Sequence, residues 1–392
     1  MYNKNNKKKK VVLALWADPS YYLATIFTSQ FLSKNDFEVD LVYRKSSPLN
    51  NLLDHIEFGK NTQLHPVGNF QNGWRDKIDY VKFLIKLIFL VRKKKPGVVI
   101  GYNRLGLLAS FVATKIFSKT RLIYHNYDFD SSQLTDFKGQ CELFAARNAN
   151  LTIFPAFGRS EEYKSIANLT RKPLNVLNCY SRTYSIKKTG ELNEIIKKRG
   201  LSFDRLVIRL GMIGPFHAIK ATIRSMREWK GNWGFILGGI VSEAYLAELY
   251  QLVEELGLEN KIIILPSISQ SLWYDILSVG DLGISLYNFD PQNIGHSYMA
   301  GTSQKLNGYF VAGIPSIVPN TLDFKLFIDK YGTCKSANVL DPKSIAKAIN
   351  SLLLDTEEYN RYCKNVRKAF RSDLNFEKQF ESVFSWINDP HV

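Results

Sequence analysis

Cysteine is scarce in this sequence, and the few that occur lie far apart. The chain has four, and no two of them form a C-x-x-C pair. No His-Glu-x-x-His motif is present either, so the sequence offers neither a disulfide framework nor a zinc site of the usual spacing. A secretory leader is also missing, because the first ten residues are polar and basic. These absences predict a protein of the reducing cytoplasm that requires no metal, with thiols that mostly pack in its interior.

The glycine fingerprint G-x-G-x-x-G of dinucleotide-binding proteins is absent too. The turn after the first apolar strand lacks it, and the turn Leu210-Gly-Met-Ile-Gly-Pro in the second half of the chain does not fit it. The sequence therefore disfavours a dinucleotide-dependent oxidoreductase.

An uninterrupted apolar run long enough to cross a bilayer is also missing. The most apolar stretch, residues 78–91, is short and contains Lys82 and Lys86, whereas a spanning helix needs about twenty apolar residues. Two interpretations remain. The stretch is either a helix that covers a sheet, with a basic end that suits its dipole, or an interfacial helix on an anionic membrane. We favour the first, in which the basic end of the helix is still able to touch lipid.

Apolar and aromatic residues are abundant, at 45% and 13% of 392 residues. A chain of this length exceeds what one ordinary core serves, so we expect two domains. The formal net charge of +16 favours an anionic partner: a phosphorylated sugar donor, an acidic membrane face or nucleic acid.

Short apolar runs of strand length alternate with helical stretches, which indicates an α/β protein with parallel sheets. The pattern begins at Val11, is lost in a polar and basic stretch, and then restarts. We therefore predict five parts, which are a basic flexible arm (1–10), a first Rossmann-like domain (11–180), a linker (181–203), a second Rossmann-like domain (204–370) and a C-terminal helix (371–392).

One stretch, residues 301–319, is typical of a helix start that holds a phosphate. Thr302 or Ser303 is a suitable N-cap, and Gly313 is a stop signal before a buried strand. The first turn then contains Gln304 and Lys305, so that unpaired amide groups and a cation lie together. The alternative is an ordinary capped helix with a solvated lysine.

This stretch resembles the donor-binding segment of GT-B glycosyltransferases of family 4, whose pattern is S-x-K-x-x-E-Y-x-A-x-G-x-P. The matching residues are Lys305, Tyr309, Ala312, Gly313 and Pro315. The acidic position, which holds the nucleotide ribose in that family, falls on Gly308, with Asn307 beside it. The segment of the xanthan glucuronosyltransferase type also lacks the acid, so its loss does not by itself indicate a dead site.

The resemblance implies the GT-B fold, in which two Rossmann-like parallel-sheet domains face a central cleft and a C-terminal helix crosses back to the first domain. It covers nearly the whole chain and is most specific between Leu210 and Pro319. The apolar residues of the last helix are expected to pack on the first domain, and these are Phe376, Phe380, Val383 and Trp386.

The resemblance also implies a donor site in the turns that follow the predicted strands of the second half. The basic pair that the family carries in its first glycine turn falls on Met212 and His217. Lys305 is the strongest cationic candidate, because it combines a charge with helix amides. A surface histidine and a solvated Lys220 are the structural alternatives. The predicted donor-binding residues are Gly214, His217, Lys220, Gly238, Tyr287, Ser303, Gln304, Lys305, Asn307 and Tyr309.

In the first half, the stretch Leu-Ile-Tyr-His-Asn-Tyr-Asp, which ends at Asp128, resembles the strand end L-I-Y-H-x-H-E of GT-B acceptor domains. It implies catalytic roles for Asp128 and His125, and acceptor binding by Asp18, Tyr127 and Asp130. Asp128 would be the general base of an inverting enzyme; in a retaining enzyme the phosphate would assist departure and these residues would orient the sugars. The alternatives are a capping carboxylate, or the metal-binding D-x-D of a GT-A enzyme formed by Asp128 and Asp130.

These features together predict a metal-independent glycosyltransferase in the cytoplasm, at the inner face of the plasma membrane and in peripheral contact with anionic lipid. The predicted donor is a nucleotide-activated hexose, and the acceptor is a saccharide or lipid-linked saccharide of a surface polysaccharide. A catalytically silent GT-B partner subunit is one alternative, motivated by Gly308 and Met212. A basic nucleic-acid-binding protein is the other, although no zinc-finger spacing or RNA-binding aromatic motif supports it.

Overall fold

The computed structural model describes residues 9–45, 57–68, 73–116, 120–127, 129, 131–288 and 294–389. Within these ranges the chain forms two compact units, each built on its own parallel sheet. The first unit contains the chain up to Asn178, the short segment that ends at Tyr298, and the residues from Phe376 onwards. The second unit contains the remaining residues, beginning at Cys179.

The first unit is built on a seven-stranded sheet in the order β3-β2-β1-β4-β5-β6-β7. Its strands are β1 Lys10–Leu15, β2 Glu38–Arg44, β3 Thr62–Val67, β4 Val98–Tyr102, β5 Arg121–His125, β6 Leu151–Phe154 and β7 Leu174–Asn175. All neighbouring strands are parallel. The central strands are apolar on both faces because helices cover both sides of the sheet. The strand order reverses between β1 and β4, where open α/β sheets usually bind ligands.

Seven helices belong to the described part of the first unit. They are α1 Leu23–Lys34, α2 Trp74–Lys94, α3 Asn103–Phe111, α4 Phe137–Arg147, α5 Phe157–Ala167, α10 Ile294–Ser297 and α15 Phe376–Asn388. The face of α2 that contains Phe83 and Leu87 is buried against the sheet, which confirms the sheet-covering interpretation of this helix. In the described part of the chain, no helix combines the length and the apolar character that a bilayer span requires.

The last helix, α15, packs on α1 in the first unit, as the resemblance implied. Phe31 contacts Phe376 and Phe384 with ring centres 6.2 and 5.2 Å apart, and Val383 is fully buried. The guanidinium of Arg121 lies 4.7 Å from the centre of the Trp386 ring. It also donates hydrogen bonds to backbone carbonyls at the end of the helix. The predicted return of the C-terminal helix to the first domain is therefore confirmed.

The second unit is built on a six-stranded parallel sheet in the order β10-β9-β8-β11-β12-β13. Its strands are β8 Arg205–Leu210, β9 Trp233–Gly238, β10 Ile262–Leu265, β11 Leu282–Ile284, β12 Ser316–Pro319 and β13 Cys334–Ala337. Its helices are α6 Glu191–Lys198, α7 Ile219–Ser225, α8 Glu243–Glu255, α9 Gln270–Val279, α11 Gln304–Ala312, α12 Leu322–Tyr331, α13 Pro342–Leu353 and α14 Thr356–Ser372.

The stretch that the sequence suggested as a linker contains the helix α6 and belongs to the second unit. The fully buried carboxylate of Asp275 fixes its start. It accepts hydrogen bonds from the backbone N–H groups of Thr189, Gly190 and Leu192 at 2.8, 2.9 and 2.7 Å. A buried carboxylate with three donors of this kind holds the loop through charge-assisted hydrogen bonds. The sequence suggested a linker because a polar contact of this kind leaves no apolar pattern in the sequence.

Candidate functional site

The strands β9, β8 and β11 are neighbours in the second unit, and glycine-rich turns follow β8 and β9. The N–H of Gly211 donates to the carbonyl of Gly238 at 2.9 Å, which ties the turn after β8 to the end of β9. Gly239 has a φ of +146°, and a Cβ at this position would lie 1.9 Å from the carbonyl oxygen of Gly211. Glycine is required here because a side chain would prevent the close approach of the two turns.

The helix α11 presents its first turn to this pair of glycine turns. The hydroxyl of Ser303 caps the helix by accepting the N–H of Leu306 at 3.3 Å, and Gly313 ends it in the left-handed conformation. The stem of Lys305 lies over Gly211, so that a Cβ on Gly211 would be 2.5 Å from the Lys305 Cε. The missing side chain of Gly211 therefore makes the room that Lys305 occupies.

The ammonium group of Lys305 ends beside two rings. Its Nζ is 3.4 Å from the Nε2 of His217 and 5.4 Å from the centre of the Tyr287 ring, which is within cation–π range. His217 lies in a short 3₁₀ turn and is nearly buried. Its Nδ1 has no hydrogen-bond partner among the described residues. The two basic side chains thus meet where the turns after β8 and β11 come together.

Arg209 adds a buried guanidinium to this site. It lies in β8 and is only 2% exposed, and its Nη1 donates to the carbonyl of Leu210 at 2.9 Å. None of the ion pairs in the described part of the chain includes Arg209 or Lys305. A buried charge without an opposite charge is costly. We call Arg209, His217 and Lys305 the cationic cluster, and its composition is typical of a site that receives an anion.

The pKa shifts of the cationic cluster all have the same direction. Burial lowers the pKa of Lys305 well below its usual range, and the charge of Arg209 adds to this shift. Burial lowers the pKa of His217 to about 2, with further contributions from Lys305 and Arg209. The pKa of Arg209 is lowered by burial as well. A bound phosphate would reverse these shifts, because a nearby opposite charge favours the protonated form.

In the first unit, the predicted catalytic residue His125 lies in the core. It is the last residue of β5 and is fully buried. Its ring centre is 4.5 Å from that of Tyr127 and 5.3 Å from that of Tyr102, and burial lowers its pKa to about 3. Neither ring nitrogen has a hydrogen-bond partner in the described ranges. The ring of His125 is thus enclosed by aromatic side chains, and a catalytic role for this residue stays a prediction.

The predicted acceptor-binding residues are described only in part. Asp128 and Asp130 lie outside the described residues. Tyr127 stacks between Tyr22 and Tyr102, with ring centres 5.5 and 5.3 Å away. Asp18 follows β1 and caps a 3₁₀ turn, where its carboxylate accepts hydrogen bonds from the N–H and the hydroxyl of Ser20. Both described side chains are nearly buried, and acceptor binding by either of them stays a prediction.

No protein-family model and no curated protein matches this chain, but solved structures match it over nearly its whole length. HepE of Anabaena in complex with UDP has 14% identity and a TM-score of 0.74, with 97% of this chain and 99% of that chain covered. Sucrose-phosphate synthase of Thermosynechococcus elongatus has 13% identity, a TM-score of 0.72 and coverages of 97% and 98%. The lipopolysaccharide outer core galactosyltransferase WaaB, in its apo form, has 12% identity, a TM-score of 0.66 and coverages of 96% and 99%.

This chain has the GT-B fold. Its two parallel Rossmann-like sheets, of seven and six strands, and its returning C-terminal helix match the prediction from the resemblance to family 4. At identities of this size the likeness shows the fold alone.

Several of the donor residues predicted for a GT-B protein lie at or beside the cationic cluster. Gly214 begins the turn that contains His217. The hydroxyls of Tyr287 and Ser303 are hydrogen-bonded to each other, so the ring beneath Lys305 is fixed to the N-cap of α11. Gln304 is exposed at the first position of that helix. Gly238 ends β9 and takes part in the contact between the glycine turns. Donor contact by these residues stays a prediction.

Three predicted donor residues do not join the cationic cluster. Tyr309 is fully buried, and its hydroxyl accepts from the N–H of Leu210 and donates to the carbonyl of Ile284 at 3.2 and 3.3 Å. It therefore fixes α11 against the sheet, and donor contact by Tyr309 stays a prediction. The side-chain amide of Asn307 is buried and donates to two backbone carbonyls just before the first residue of α11. Lys220 is directed to Glu248, with which it forms an ion pair on the surface.

The two departures from the family pattern also have structural counterparts. Met212, at one position of the family's basic pair, is exposed, and Arg209 supplies a buried cation two residues before the Gly211 turn. Gly308, at the position of the ribose-binding acid, lies on α11. A Cβ on Gly308 would be 3.6 Å from the hydroxyl of Tyr180. A tyrosine hydroxyl thus lies close to the position at which the family carries a carboxylate.

Arg209 is the functional candidate that sequence reasoning missed. The sequence signal is an arginine within an otherwise apolar run, Leu206-Val-Ile-Arg-Leu210. A strand of this kind is buried, so the guanidinium of Arg209 cannot reach solvent. Such a residue requires an opposite charge. Among the described residues, no group of three or more His, Cys, Asp or Glu side chains could hold a metal ion.

Proposed function

We propose that this GT-B protein is a glycosyltransferase that uses a nucleotide-sugar donor, and that the cationic cluster binds the donor diphosphate. The observation that carries the proposal is the combination of a buried Arg209 and a half-buried Lys305, neither of which pairs with a carboxylate of a described residue. A diphosphate supplies the negative charge that both cations lack. The first amides of α11 would add N–H donors to the same phosphate oxygens.

The donor that we propose is a UDP-hexose. HepE, which has the same fold, has been crystallised with UDP, with UDP and glucose, and with UDP-glucose. The nucleotide ribose then meets α11 near Gly308, where Tyr180 replaces the missing acid of the family. In this proposal the second unit binds the donor and the first unit binds the acceptor.

In the reaction, the acceptor hydroxyl oxygen forms a bond to the anomeric carbon while the bond from that carbon to the β-phosphate oxygen breaks. The electron pair of the broken bond stays on the diphosphate. Lys305 and Arg209 stabilise the charge that develops there, which is the largest single contribution in many group-transfer enzymes. Because two cations and helix amides do this, we propose that the reaction needs no metal ion.

The proton of the acceptor hydroxyl requires a base. By the resemblance, Asp128 takes this proton if configuration inverts, whereas the donor phosphate assists if configuration is retained. We propose Tyr127, Asp18 and Asp130 as acceptor-binding residues on the same ground. Asp128→Asn should then lower kcat more than donor affinity, and an unchanged kcat would remove Asp128 from the mechanism.

We propose a saccharide or lipid-linked saccharide of a surface polysaccharide as the acceptor, and the cytoplasmic face of the plasma membrane as the place of reaction. The lipopolysaccharide galactosyltransferase that shares the fold supports the first point. The four cysteines support the second, because all are free thiols and three of them are buried.

The test is isothermal titration of the full chain with UDP and UDP-glucose. Lys305→Ala should weaken binding at least tenfold and reduce turnover by orders of magnitude, because it removes a cation that faces the phosphate. Lys220→Ala is the matched control, since this lysine pairs with Glu248 outside the cluster; its binding should be unchanged. If the wild-type chain binds no member of a panel of nucleotides and nucleotide sugars, the silent partner subunit becomes the better interpretation.

A further inference from the structure

The outer face of α2 carries a row of large apolar side chains that the fold leaves uncovered. Trp74, Ile78, Val81, Ile85 and Phe89 follow one another at helical spacing and are between 42% and 68% exposed. The opposite face already packs on the sheet of the first unit. Soluble surfaces usually scatter such residues singly, whereas a contiguous row marks an interaction site.

Basic side chains border this apolar row on both sides. Arg75, Lys82, Lys86 and Lys93 follow one edge, Lys77 lies along the other, and Arg92 continues the apolar row itself at its C-terminal end. The helix contains seven basic residues and two acidic ones. Both acidic side chains are engaged in ion pairs, Asp76 with Arg44 and Asp79 with Lys82, at 2.6 and 2.9 Å. The outer face of α2 therefore has a strongly positive border and no carboxylate directed outward.

The positive region continues past the end of the helix. A depression in the first unit begins at the C-terminal end of α2. One acidic residue, Asp389, lines it together with six basic ones, which are Lys9, Lys10, Lys93, Lys94, Lys95 and Arg121. A second, mostly apolar depression lies beside it and is formed by Ile85, Ile88 and Phe89 with Arg92 and Lys93. Lys93 borders both, so an apolar and a cationic surface meet at this side chain.

We propose that the outer face of α2 docks on an anionic lipid bilayer, parallel to its surface. A helix with an apolar face and a lysine-rich border lies in the plane of the lipid headgroups, with its apolar side chains among the upper acyl chains and its cations on the phosphates. The charge decides the occupant. A second copy of this chain would present the same positive border and be repelled, whereas a layer of acidic headgroups is complementary to it.

The proposal does not depend on the glycosyltransferase assignment, because α2 shares no residue with the cationic cluster. It does restrict the acceptor if that assignment is correct. An enzyme whose first unit rests on a bilayer is suited to an acceptor whose lipid anchor lies in the same bilayer.

Vesicle flotation with the full chain tests the proposal. Vesicles of phosphatidylcholine are compared with vesicles that also contain phosphatidylglycerol, and we expect at least tenfold tighter binding to the anionic ones, with loss in high salt. The variant Ile85→Gln with Phe89→Gln should weaken this binding roughly tenfold or more, because two apolar anchors are lost. The variant Lys86→Gln with Lys93→Gln should weaken it by about fivefold for each charge.

Matched controls come from the second unit. Leu322→Gln with Leu326→Gln removes two equally exposed apolar side chains from α12, and Lys364→Gln with Lys368→Gln removes two exposed lysines from α14. Both controls should bind vesicles as the wild type does. All variants change exposed side chains, and an unchanged midpoint of thermal unfolding would show that the fold is intact.

Three results would overturn the proposal. The first is a wild-type chain that does not float with anionic vesicles. The second is vesicle binding that the Ile85 and Phe89 substitutions leave unchanged, which would indicate adsorption by charge alone. The third is a wild-type dimer, seen by analytical ultracentrifugation, that these same substitutions dissociate, since a second copy would then be the occupant of the face.

Discussion

The ammonium nitrogen of Lys305 lies 3.4 Å from the Nε2 of His217. At this distance two positive charges repel strongly, and burial lowers the pKa of His217 to about 2. The imidazole is therefore neutral at pH 7 and offers Nε2 as an acceptor to Lys305. Without a ligand, His217 is neutral and does not repel the ammonium group of Lys305, so the side chains of the cationic cluster can lie close together.

This arrangement predicts that nucleotide binding takes up protons. The pKa of Lys305 is lowered well below its usual value in the free protein, and a diphosphate would raise it and that of His217 again. Titration with UDP in buffers of different ionisation enthalpy should therefore show a net uptake of protons. In Lys305→Arg the lysine contribution should vanish, because arginine stays protonated in both states. An observed heat that is independent of the buffer would contradict the prediction.

Arg209 should be needed for binding and dispensable for folding. We expect Arg209→Leu to abolish UDP binding and to leave the free energy of unfolding unchanged or higher by about 1–2 kcal/mol, because it removes a buried charge that pairs with no described carboxylate. The control lies on the same strand. Arg205 pairs with Asp281 at 2.8 Å, so Arg205→Leu should lower stability and retain binding. Thermal unfolding and titration of both variants separate the two effects, and a strongly destabilised Arg209→Leu would show that the guanidinium has a structural role.

An alanine substitution should have different effects on stability and on UDP binding in the two glycine turns. Gly239→Ala places a Cβ 1.9 Å from a backbone oxygen at a φ of +146°, and we expect it to cost several kcal/mol of stability. In Gly211→Ala, at a φ of +100°, the Cβ meets the flexible stem of Lys305 at 2.5 Å. Displacement of the lysine should weaken UDP binding, with a stability loss that is smaller than in Gly239→Ala because no backbone atom is struck. Gly257→Ala, at positive φ in open space, should cost about 1 kcal/mol. Equal losses in all three would contradict the assignment of Gly211 to Lys305.

His125 should make the protein sensitive to acid. Its pKa in the folded state is about 3, lowered by burial from 6.5, so the unfolded chain binds a proton that the folded chain does not bind. Stability should therefore fall as pH decreases from about 6.5 towards 3, by a few kcal/mol from this residue. His125→Phe should reduce that slope and leave turnover intact. A variant that folds but loses turnover would support a role for this histidine in the reaction.

Most of the sheet architecture could be predicted from the sequence, because the inner strands are continuous apolar runs. The strands β3 and β13 were missed. Each is at the edge of its sheet and pairs with one neighbour only, and their sequences, Thr-Gln-Leu-His-Pro-Val and Cys-Lys-Ser-Ala, are too polar to predict a strand. Backbone hydrogen bonds to the neighbouring strand hold them, and these do not depend on side-chain hydrophobicity.

The site was predictable only where a local motif encodes it. Ser303, Lys305 and Gly313 are recognisable because the signals that start and end a helix lie within one short stretch of sequence. Arg209 belongs to the same cluster but lies almost a hundred residues earlier, and its meeting with Lys305 depends on the packing of α11 against β8. His125 was assigned to catalysis because its neighbours in sequence resemble a motif, while the alternation of side chains along β5 directs it into the core.

The aromatic contact between α1 and α15 has a consequence for biosynthesis. Phe27 and Phe31 are covered by Phe376 and its neighbours, which leave the ribosome more than three hundred residues later. The first unit thus starts first and is completed last, whereas every residue of the second unit has emerged before α15 arrives. During translation these phenylalanines of α1 therefore stay uncovered until α15 has been synthesised.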